Sequence, residues 1–125
     1  MSFYREKILD HYNNPRNSGV FEACDCHVHL DNPLCGDEVD VYVKVNRDEL
    51  EDISFQATGC AISIAAMSML SVKLKGMSIA AVQKMNKDDI IKMIGIPLTI
   101  SRIKCGTLGL SAVQACLKNQ QIKTK

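Results

Sequence analysis

The sequence contains no tryptophan, and aromatic side chains make up only 5 % of it. Since 46 % of the residues are nevertheless hydrophobic, the core has to be built from aliphatic side chains. A length of 125 residues is typical of one domain, residues 1–125, and is sufficient for a stable core without disulfide bonds.

An excess of charge of either sign is also missing. The chain has 15 basic and 14 acidic side chains, which give a formal net charge of +1. This balance gives no support to the binding of nucleic acid or of an anionic membrane surface. We therefore expect neither class of partner.

Long apolar runs are absent as well. Residues 1–7 include Arg5, Glu6 and Lys7 and contain no apolar signal-peptide core. The longest apolar run, Ala61–Leu74, would span roughly 21 Å as a helix, whereas the hydrocarbon layer of a membrane is about 30 Å thick. We therefore expect a cytoplasmic protein without a membrane span.

Hydrophobic periodicity predicts an α+β fold. Short connections and one polar face favour a three-stranded antiparallel sheet packed against helices. In such a meander, the loop after the first strand and the end of the third strand lie at the same edge of the sheet. The predicted strands are residues 23–30, 38–45 and 50–58, and the predicted helices are residues 2–13, 61–75, 78–85, 86–94 and 107–120, with Ser78 and Asn86 as N-caps.

The six cysteines carry most of the functional information. Because disulfides are rare in the cytoplasm, clustered cysteines there indicate metal or sulfur chemistry, although some are small buried hydrophobic residues. Cys35 lies in the segment Asn-Pro-Leu-Cys-Gly-Asp at residues 32–37, where proline and glycine predict a rigid turn that presents its thiol near Asp37. Cys60 opens the second helix and Cys105 precedes the last one, and helix N-termini favour the thiolate form.

These four residues form one candidate site. The shared sheet edge brings Cys35 and Cys60 towards each other, and Lys104 adds positive charge next to Cys105. Three thiolates and the carboxylate of Asp37 suit tetrahedral Zn²⁺, and equally an iron–sulfur cluster with one non-thiolate ligand. The spacing leaves open whether such a site stores its contents or releases them.

Two further residues have side chains that could bind metal, but both are predicted to have structural roles. Cys116 lies roughly 16 Å along a continuous helix from Cys105, too far to share a metal ion, and is expected in the core. His11 is expected to be packed or hydrogen-bonded on the first helix.

The first strand holds two cysteines and two histidines at alternating positions. Cys24 and Cys26 are expected on one face and His27 and His29 on the other, because successive side chains of a strand point to opposite faces. Two ligands on a face make a poor metal site, so a packed or partly exposed strand is expected.

Five short motifs give the chain a resemblance to a known family. They resemble the U-type iron–sulfur cluster assembly scaffolds, the family of IscU, SufU and the N-terminal part of NifU, over nearly the whole chain. The resemblance implies a three-stranded antiparallel sheet packed with helices, in agreement with the pattern above. The motifs are Tyr-Arg-Glu-Lys-Ile-Leu-Asp-His-Tyr at residues 4–12, Asn-Pro-Arg-Asn-Ser-Gly at 14–19, the segment at 32–37, Thr-Gly-Cys-Ala-Ile-Ser at 58–63 and Lys-Cys-Gly-Thr-Leu at 104–108.

The resemblance also implies a site and an activity. Cys35, Cys60 and Cys105 would be candidate acceptors of persulfide sulfur from a pyridoxal-phosphate-dependent cysteine desulfurase, with Asp37 as the nearby carboxylate. In the IscU branch the protein is a non-enzymatic scaffold that combines the sulfur with iron into a 2Fe–2S cluster and passes it to recipient apoproteins or a downstream scaffold. In the SufU branch the site binds zinc and the protein is a sulfurtransferase. A monomer or weak oligomer is expected.

Features of both branches are present. Lys104 stands where IscU proteins usually have histidine, as in SufU, but the segment between Cys60 and Cys105 lacks the SufU insertion. Residues 96–100, Ile-Pro-Leu-Thr-Ile, replace the Leu-Pro-Pro-Val-Lys motif of IscU, so recognition by its dedicated heat-shock chaperone is not expected. A scaffold is the first hypothesis, a zinc-dependent sulfurtransferase the second, and a domain with a structural zinc site the third. In the scaffold hypothesis, Lys104 is expected to pair with Asp37 when the site is empty.

Overall fold

A computed structural model of the protein describes residues 2–20, 24–33, 36–95 and 100–123. Cys35, one of the four predicted site residues, lies outside these ranges. So do residues 96–99, which belong to the segment compared with the chaperone-binding motif. The described elements are helix α1 (Ser2–Asn13), strands β1 (Cys26–Asn32), β2 (Asp37–Asn46) and β3 (Glu49–Thr58), and helices α2 (Ala61–Leu74), α3 (Ile79–Gln83), α4 (Lys87–Ile94) and α5 (Ile100–Lys123).

The strands form one antiparallel sheet in the order β1-β2-β3, which confirms the predicted α+β fold. Along β2, Val39, Val41 and Val43 are buried, while the side chains between them face the other side of the sheet. Helices α2 and α5 pack against the buried face. The core is largely aliphatic, as the composition predicts, and Phe55 is its largest fully buried side chain.

Buried serines on α2 hold the N-terminal part of the chain in place. The Ser68 hydroxyl oxygen lies 2.7 Å from His11 Nδ1 and accepts a hydrogen bond from the Arg16 backbone N–H at 2.9 Å. The Ser71 hydroxyl accepts a hydrogen bond from the side-chain amide of Asn17 at 3.0 Å. The prediction that His11 is packed or hydrogen-bonded is therefore confirmed, and the residue is both.

The predicted caps of the short helices are also confirmed. The Ser78 side chain accepts a hydrogen bond from the backbone N–H of Ala81 at 3.1 Å, at the start of α3. Asn86 and Asp89 form a reciprocal capping box at the start of α4, and Gly95 ends that helix with a φ of 84°. Each cap depends only on residues within three or four positions of the helix end, so the sequence alone is sufficient to predict it. Within the described residues no helix is long and apolar enough to cross a membrane.

The prediction that the last helix begins at residue 107 is wrong, because α5 begins at Ile100. Glycine weakens a helical pattern, and Gly106 favours a break directly before the predicted start, whereas Gly109 lies inside the predicted helix. Both glycines are buried within the helix, and at Gly109 the missing side chain makes room for the sulfur of Met67 on α2. Packing between two helices thus outweighs the local propensity.

A disulfide joins Cys26 of β1 to Cys116 of α5, with the two Cα atoms 5.7 Å apart. Cys116 is fully buried in the core, as predicted, but the expectation that the cysteines serve metal or sulfur chemistry or apolar packing, and not disulfides, is wrong for this pair. The two cysteines meet because α5 packs against β1. Since they are 90 positions apart, their spacing in the sequence does not indicate the pairing.

Candidate metal and sulfur site

Three of the four predicted site residues come together at one edge of the sheet. One ligand atom from each of Asp37, Cys60 and Cys105 lies within 4.8 Å of the other two. Asn32 pairs with Asp37 across β1 and β2, and β3 ends next to α2 at the same edge, as the predicted meander requires. Cys35 belongs to the connection between β1 and β2, and its membership of the site stays a prediction.

Asp37 is the buried carboxylate of this group. Its side chain is fully buried, and its Oδ1 accepts a hydrogen bond from the Cys60 backbone N–H at 3.0 Å. Its Oδ2 is also buried, and no hydrogen-bond donor among the described residues reaches it. Leaving a buried carboxylate oxygen without a partner is energetically costly, and a cation beside the two thiols would satisfy it. The arrangement therefore fits a metal ion.

Cys60 is the N-cap of α2, as predicted. Its backbone is extended, with φ −78° and ψ 163°, and its Sγ accepts a hydrogen bond from the Ser63 backbone N–H at 3.4 Å. The sulfur thus faces the unpaired N–H groups at the start of a helix, where negative charge is stabilised. The residue is only partly buried, whereas Cys105 is buried.

Gly59 makes the approach between Asp37 and Cys60 possible. Its φ is +137°, and a Cβ at this position would overlap Asp37 Oδ1 and lie 2.8 Å from Asp37 Cγ. Only a residue without a side chain allows α2 to begin this close to the buried carboxylate.

Cys105 reaches the site from α5. It is 4 % exposed and lies in the second turn of the helix, so the prediction that it stands at a helix N-terminus is wrong. The stabilisation of anions by a helix falls off beyond its first turn, so this argument for a Cys105 thiolate is lost. The neighbouring Lys104 is exposed and makes no ion pair with Asp37 in the described part of the chain, contrary to the predicted pairing.

The donor set matches the predicted chemistry. Two sulfur atoms and one carboxylate oxygen provide three ligands, and Zn²⁺ and iron both accept this combination. The carboxylate is the ligand that exchanges most readily, because sulfur ligands bind these metals more tightly. The same residues can therefore hold zinc or the iron of a cluster, and the described geometry is compatible with both.

One group of candidate ligands was missed from the sequence. His29, Asp31 and Glu38 bring one ligand atom each to within 4.8 Å of the others, on the exposed face of the sheet. The sequence pattern places His27 and His29 on that face, but the carboxylates opposite them on β2 become visible only with the strand register. A register worked out from the short β1–β2 connection would have found the group.

Comparison with known proteins gives the family. Residues 3–125 match the family described as NifU-like N terminal domain. The IscU iron–sulfur cluster assembly scaffold protein of Aquifex aeolicus is 39 % identical over 126 residues, covering 98 % of this chain and 80 % of that protein. The zinc-dependent sulfurtransferase SufU of Bacillus subtilis is 35 % identical over 130 residues, covering 90 % of this chain and 88 % of that protein.

Solved structures show the same fold. The N-terminal part of a NifU-like protein from Brucella abortus superposes with a TM-score of 0.79 at 21 % identity, covering 96 % of this chain and 95 % of that chain. A SufU described as a putative scaffold, from Fervidobacterium islandicum, superposes with a TM-score of 0.78 at 23 % identity, covering 90 % and 94 %. Both similarities concern the fold.

Proposed function

Because the chain belongs to the family of NifU-like N-terminal domains, the U-type iron–sulfur scaffold proteins, we propose that it assembles an iron–sulfur cluster and hands it on. The cluster, a 2Fe–2S cluster in this proposal, is cargo that leaves with a recipient apoprotein or a downstream scaffold. The sulfur would come as persulfide from a pyridoxal-phosphate-dependent cysteine desulfurase. The expected setting is the cytoplasm, with the protein acting as a monomer or weak oligomer.

The observation that carries this proposal is the buried Asp37 Oδ2 without a donor, beside Cys60 and Cys105. A site that only stored metal would be served best by a further thiolate. A carboxylate in that place supplies a ligand that a recipient protein can displace, which suits release of the cargo. Cys35 would supply the third thiolate.

Among the described site cysteines, exposure favours Cys60 as the acceptor of sulfur. Cys60 is partly exposed, whereas Cys105 is buried. In the transfer, the Cys60 thiolate attacks the outer sulfur of the desulfurase persulfide. A new S–S bond forms on Cys60, the S–S bond on the desulfurase breaks, and the desulfurase cysteine leaves as a thiolate. No net oxidation occurs, because one persulfide replaces another.

Anaerobic reconstitution tests the proposal. The protein, a cysteine desulfurase, free cysteine, Fe²⁺ and a dithiol reductant, which supplies the two electrons that convert each persulfide sulfur into sulfide, are expected to give a visible sulfur-to-iron chromophore, with iron and sulfide bound in equal amounts. C60S is expected to lose it, and C24S, which changes a partly buried cysteine outside the site, is expected to retain it. A wild-type protein without chromophore, or an equal loss in both variants, would contradict the proposal.

A zinc-dependent sulfurtransferase is the second candidate. Lys104 occupies the position before Cys105, as in SufU, and the donor set accepts Zn²⁺ as readily as iron. This function predicts about one Zn²⁺ per chain as purified and faster turnover of the desulfurase when the protein is added. If the cognate desulfurase is not stimulated, the sulfurtransferase function is excluded.

A further inference from the structure

The exposed face of the sheet carries a second group of metal-ligating side chains. In the register of β1 and β2, His29 stands opposite Asp40, and Asp31 stands opposite Glu38. One ligand atom from each of His29, Asp31 and Glu38 lies within 4.8 Å of the other two. We propose that these three residues bind a divalent first-row transition-metal ion, at a site separate from that of Asp37.

The charges of the group favour a cation. Asp31 and Glu38 are directly opposite each other on neighbouring strands, a position in which like charges destabilise a sheet. A divalent ion between the two carboxylates turns this repulsion into attraction. The imidazole of His29 adds a nitrogen ligand, which selects transition metals over Ca²⁺ and Mg²⁺ and distinguishes the group from an ordinary acidic surface.

Asp40 orients the imidazole for this role. Its Oδ1 lies 3.2 Å from His29 Nδ1 and 2.8 Å from His27 Nε2, so it accepts a hydrogen bond from His29 when Nδ1 is protonated. The lone pair of His29 is then on Nε2, which lies 3.7 Å from Glu38 Oε1. This distance is too long for a hydrogen bond, and it is close to the separation of about 3.4 Å between two atoms that bind the same tetrahedral ion with bonds of about 2.1 Å. A carboxylate behind a metal-binding histidine is a common arrangement, and we assign Asp40 as a positioning residue.

The surroundings leave the ion accessible. His29 and Glu38 are 46 % and 54 % exposed, so their side chains can adjust to an ion. An open groove of about 460 Å³ lies over them, lined also by Asp40, Gln56 and Thr58. With three protein ligands, the remaining coordination positions fall to water. The bound ion is therefore expected to exchange rapidly and to bind more weakly than at the cysteine site.

The two sites are close in sequence but lie on opposite faces. Asp37 is buried and Glu38, the next residue of β2, is exposed. Because strand side chains alternate, an ion held by Glu38 is separated from the Asp37 site by the sheet itself. Each site can therefore be filled and emptied without the other, and failure of the proposed function would leave this second site untouched.

A sequential titration of the full chain tests the proposal. One equivalent of Zn²⁺ first fills the cysteine site, where it resists replacement by Co²⁺ because Zn²⁺ binds such ligands more tightly. Co²⁺ is then added and followed by absorption and by the NMR signals of the three histidines. We expect one further equivalent to bind without a sulfur-to-cobalt charge-transfer band and to shift the imidazole signals of His29 most strongly.

Three variants sharpen the result. H29Q is expected to abolish the second binding event, whereas H27Q, which removes the other exposed imidazole of β1, is expected to keep it. D40N is expected to weaken Co²⁺ binding about 10- to 100-fold and to change the tautomer of His29 seen by NMR. Retention of the first Zn²⁺ equivalent and an unchanged circular dichroism spectrum show that each variant is folded.

Three outcomes would contradict the proposal of a second metal site. The first is a second equivalent with a sulfur-to-cobalt band, which would place the ion on a cysteine. The second is an equal loss of binding in H27Q and H29Q, which is the behaviour of exposed histidines that bind ions adventitiously. The third is no second equivalent at all in the folded wild-type protein, which would leave the group as cross-strand ion pairs.

Discussion

At the scale of single residues, Asp37 has two separable functions. One oxygen accepts a hydrogen bond from the Cys60 backbone, and the other has no donor among the described residues. D37A removes both oxygens, whereas D37N keeps an acceptor for Cys60 and removes the negative charge.

Both variants are expected to hold a reconstituted cluster longer than wild type, because the exchangeable carboxylate is gone. Only D37A is expected to lower the free energy of unfolding of the metal-free protein, by about 1 to 2 kcal/mol, since the backbone N–H of Cys60 loses its acceptor. Transfer of the cluster to an apoprotein and denaturant unfolding measure the two effects. If both variants instead bind metal more weakly and release it faster, the site is structural and the scaffold function is wrong.

Gly59 permits a close contact between its backbone and the side chain of Asp37 that a residue with a Cβ would block. G59A is expected to cost more than about 2 kcal/mol of stability and to weaken metal binding, because its Cβ overlaps Asp37 and forces the start of α2, with Cys60, away from the buried carboxylate. G76A is the matched control, because Gly76 has a φ of +85° and nothing within 4 Å of the added Cβ. It is expected to cost about 1 kcal/mol and to bind metal normally. Equal effects in the two variants would show that backbone conformation alone accounts for the cost.

His11 makes the stability of the fold dependent on pH. Burial, assisted by the positive charge of Arg16, lowers the pKa of His11 from its ordinary value of 6.5. The unfolded chain therefore takes up a proton at a higher pH than the folded chain does. The free energy of unfolding is expected to be highest above pH 6.5 and to fall as the pH drops through and below that value.

Urea unfolding between about pH 7.5 and pH 5.5 measures this dependence. H11Q, which cannot titrate, is expected to flatten the part of the slope due to His11. A variant with the same pH dependence as wild type would show that His11 is not the source.

At the scale of elements, the features that depend on neighbours in the sequence or on short connections are predictable, and those that depend on which helix and strand faces meet are not. The alternation of Val39, Val41 and Val43 gives β2, and the caps at Ser78 and Asn86 give two helix starts, because each depends on neighbours in the sequence. The shared edge that joins Asp37 to Cys60 followed from short connections in a meander.

The start of α5 and the Cys26–Cys116 bond could not be predicted in this way. Both depend on which faces of α5 meet α2 and β1, whereas the glycine at residue 106 favours a helix break. The strand register needed for the His29 group was within reach of the sequence, since the β1–β2 connection is short.

The disulfide links β1 to α5, the helix that also carries Cys105. A bond between residues 90 positions apart restricts the unfolded chain. Its loss is therefore expected to lower the free energy of unfolding by about 2 to 4 kcal/mol. Wild-type protein is therefore expected to unfold at a lower urea concentration in the presence of a dithiol reductant. C116A is expected to unfold at the same urea concentration with and without the reductant. A wild-type midpoint that does not respond to the reductant would show that the bond contributes nothing to stability.

At the scale of the whole molecule, a single sheet separates two chemically different faces. The buried face and the helices behind it position the sulfur atoms of Cys60 and Cys105, whereas the exposed face carries imidazole and carboxylates. The near-neutral charge of the chain, +1, fits a protein that works with protein partners and small inorganic cargo.

The central claim is that the site of Asp37, Cys60 and Cys105 carries an iron–sulfur cluster as cargo. Metal and acid-labile sulfide analysis of anaerobically purified protein tests it most directly. The account predicts iron with a matching amount of sulfide, lost in C60S and retained in C24S. Stoichiometric zinc without sulfide would contradict it and would establish the site as that of a zinc protein.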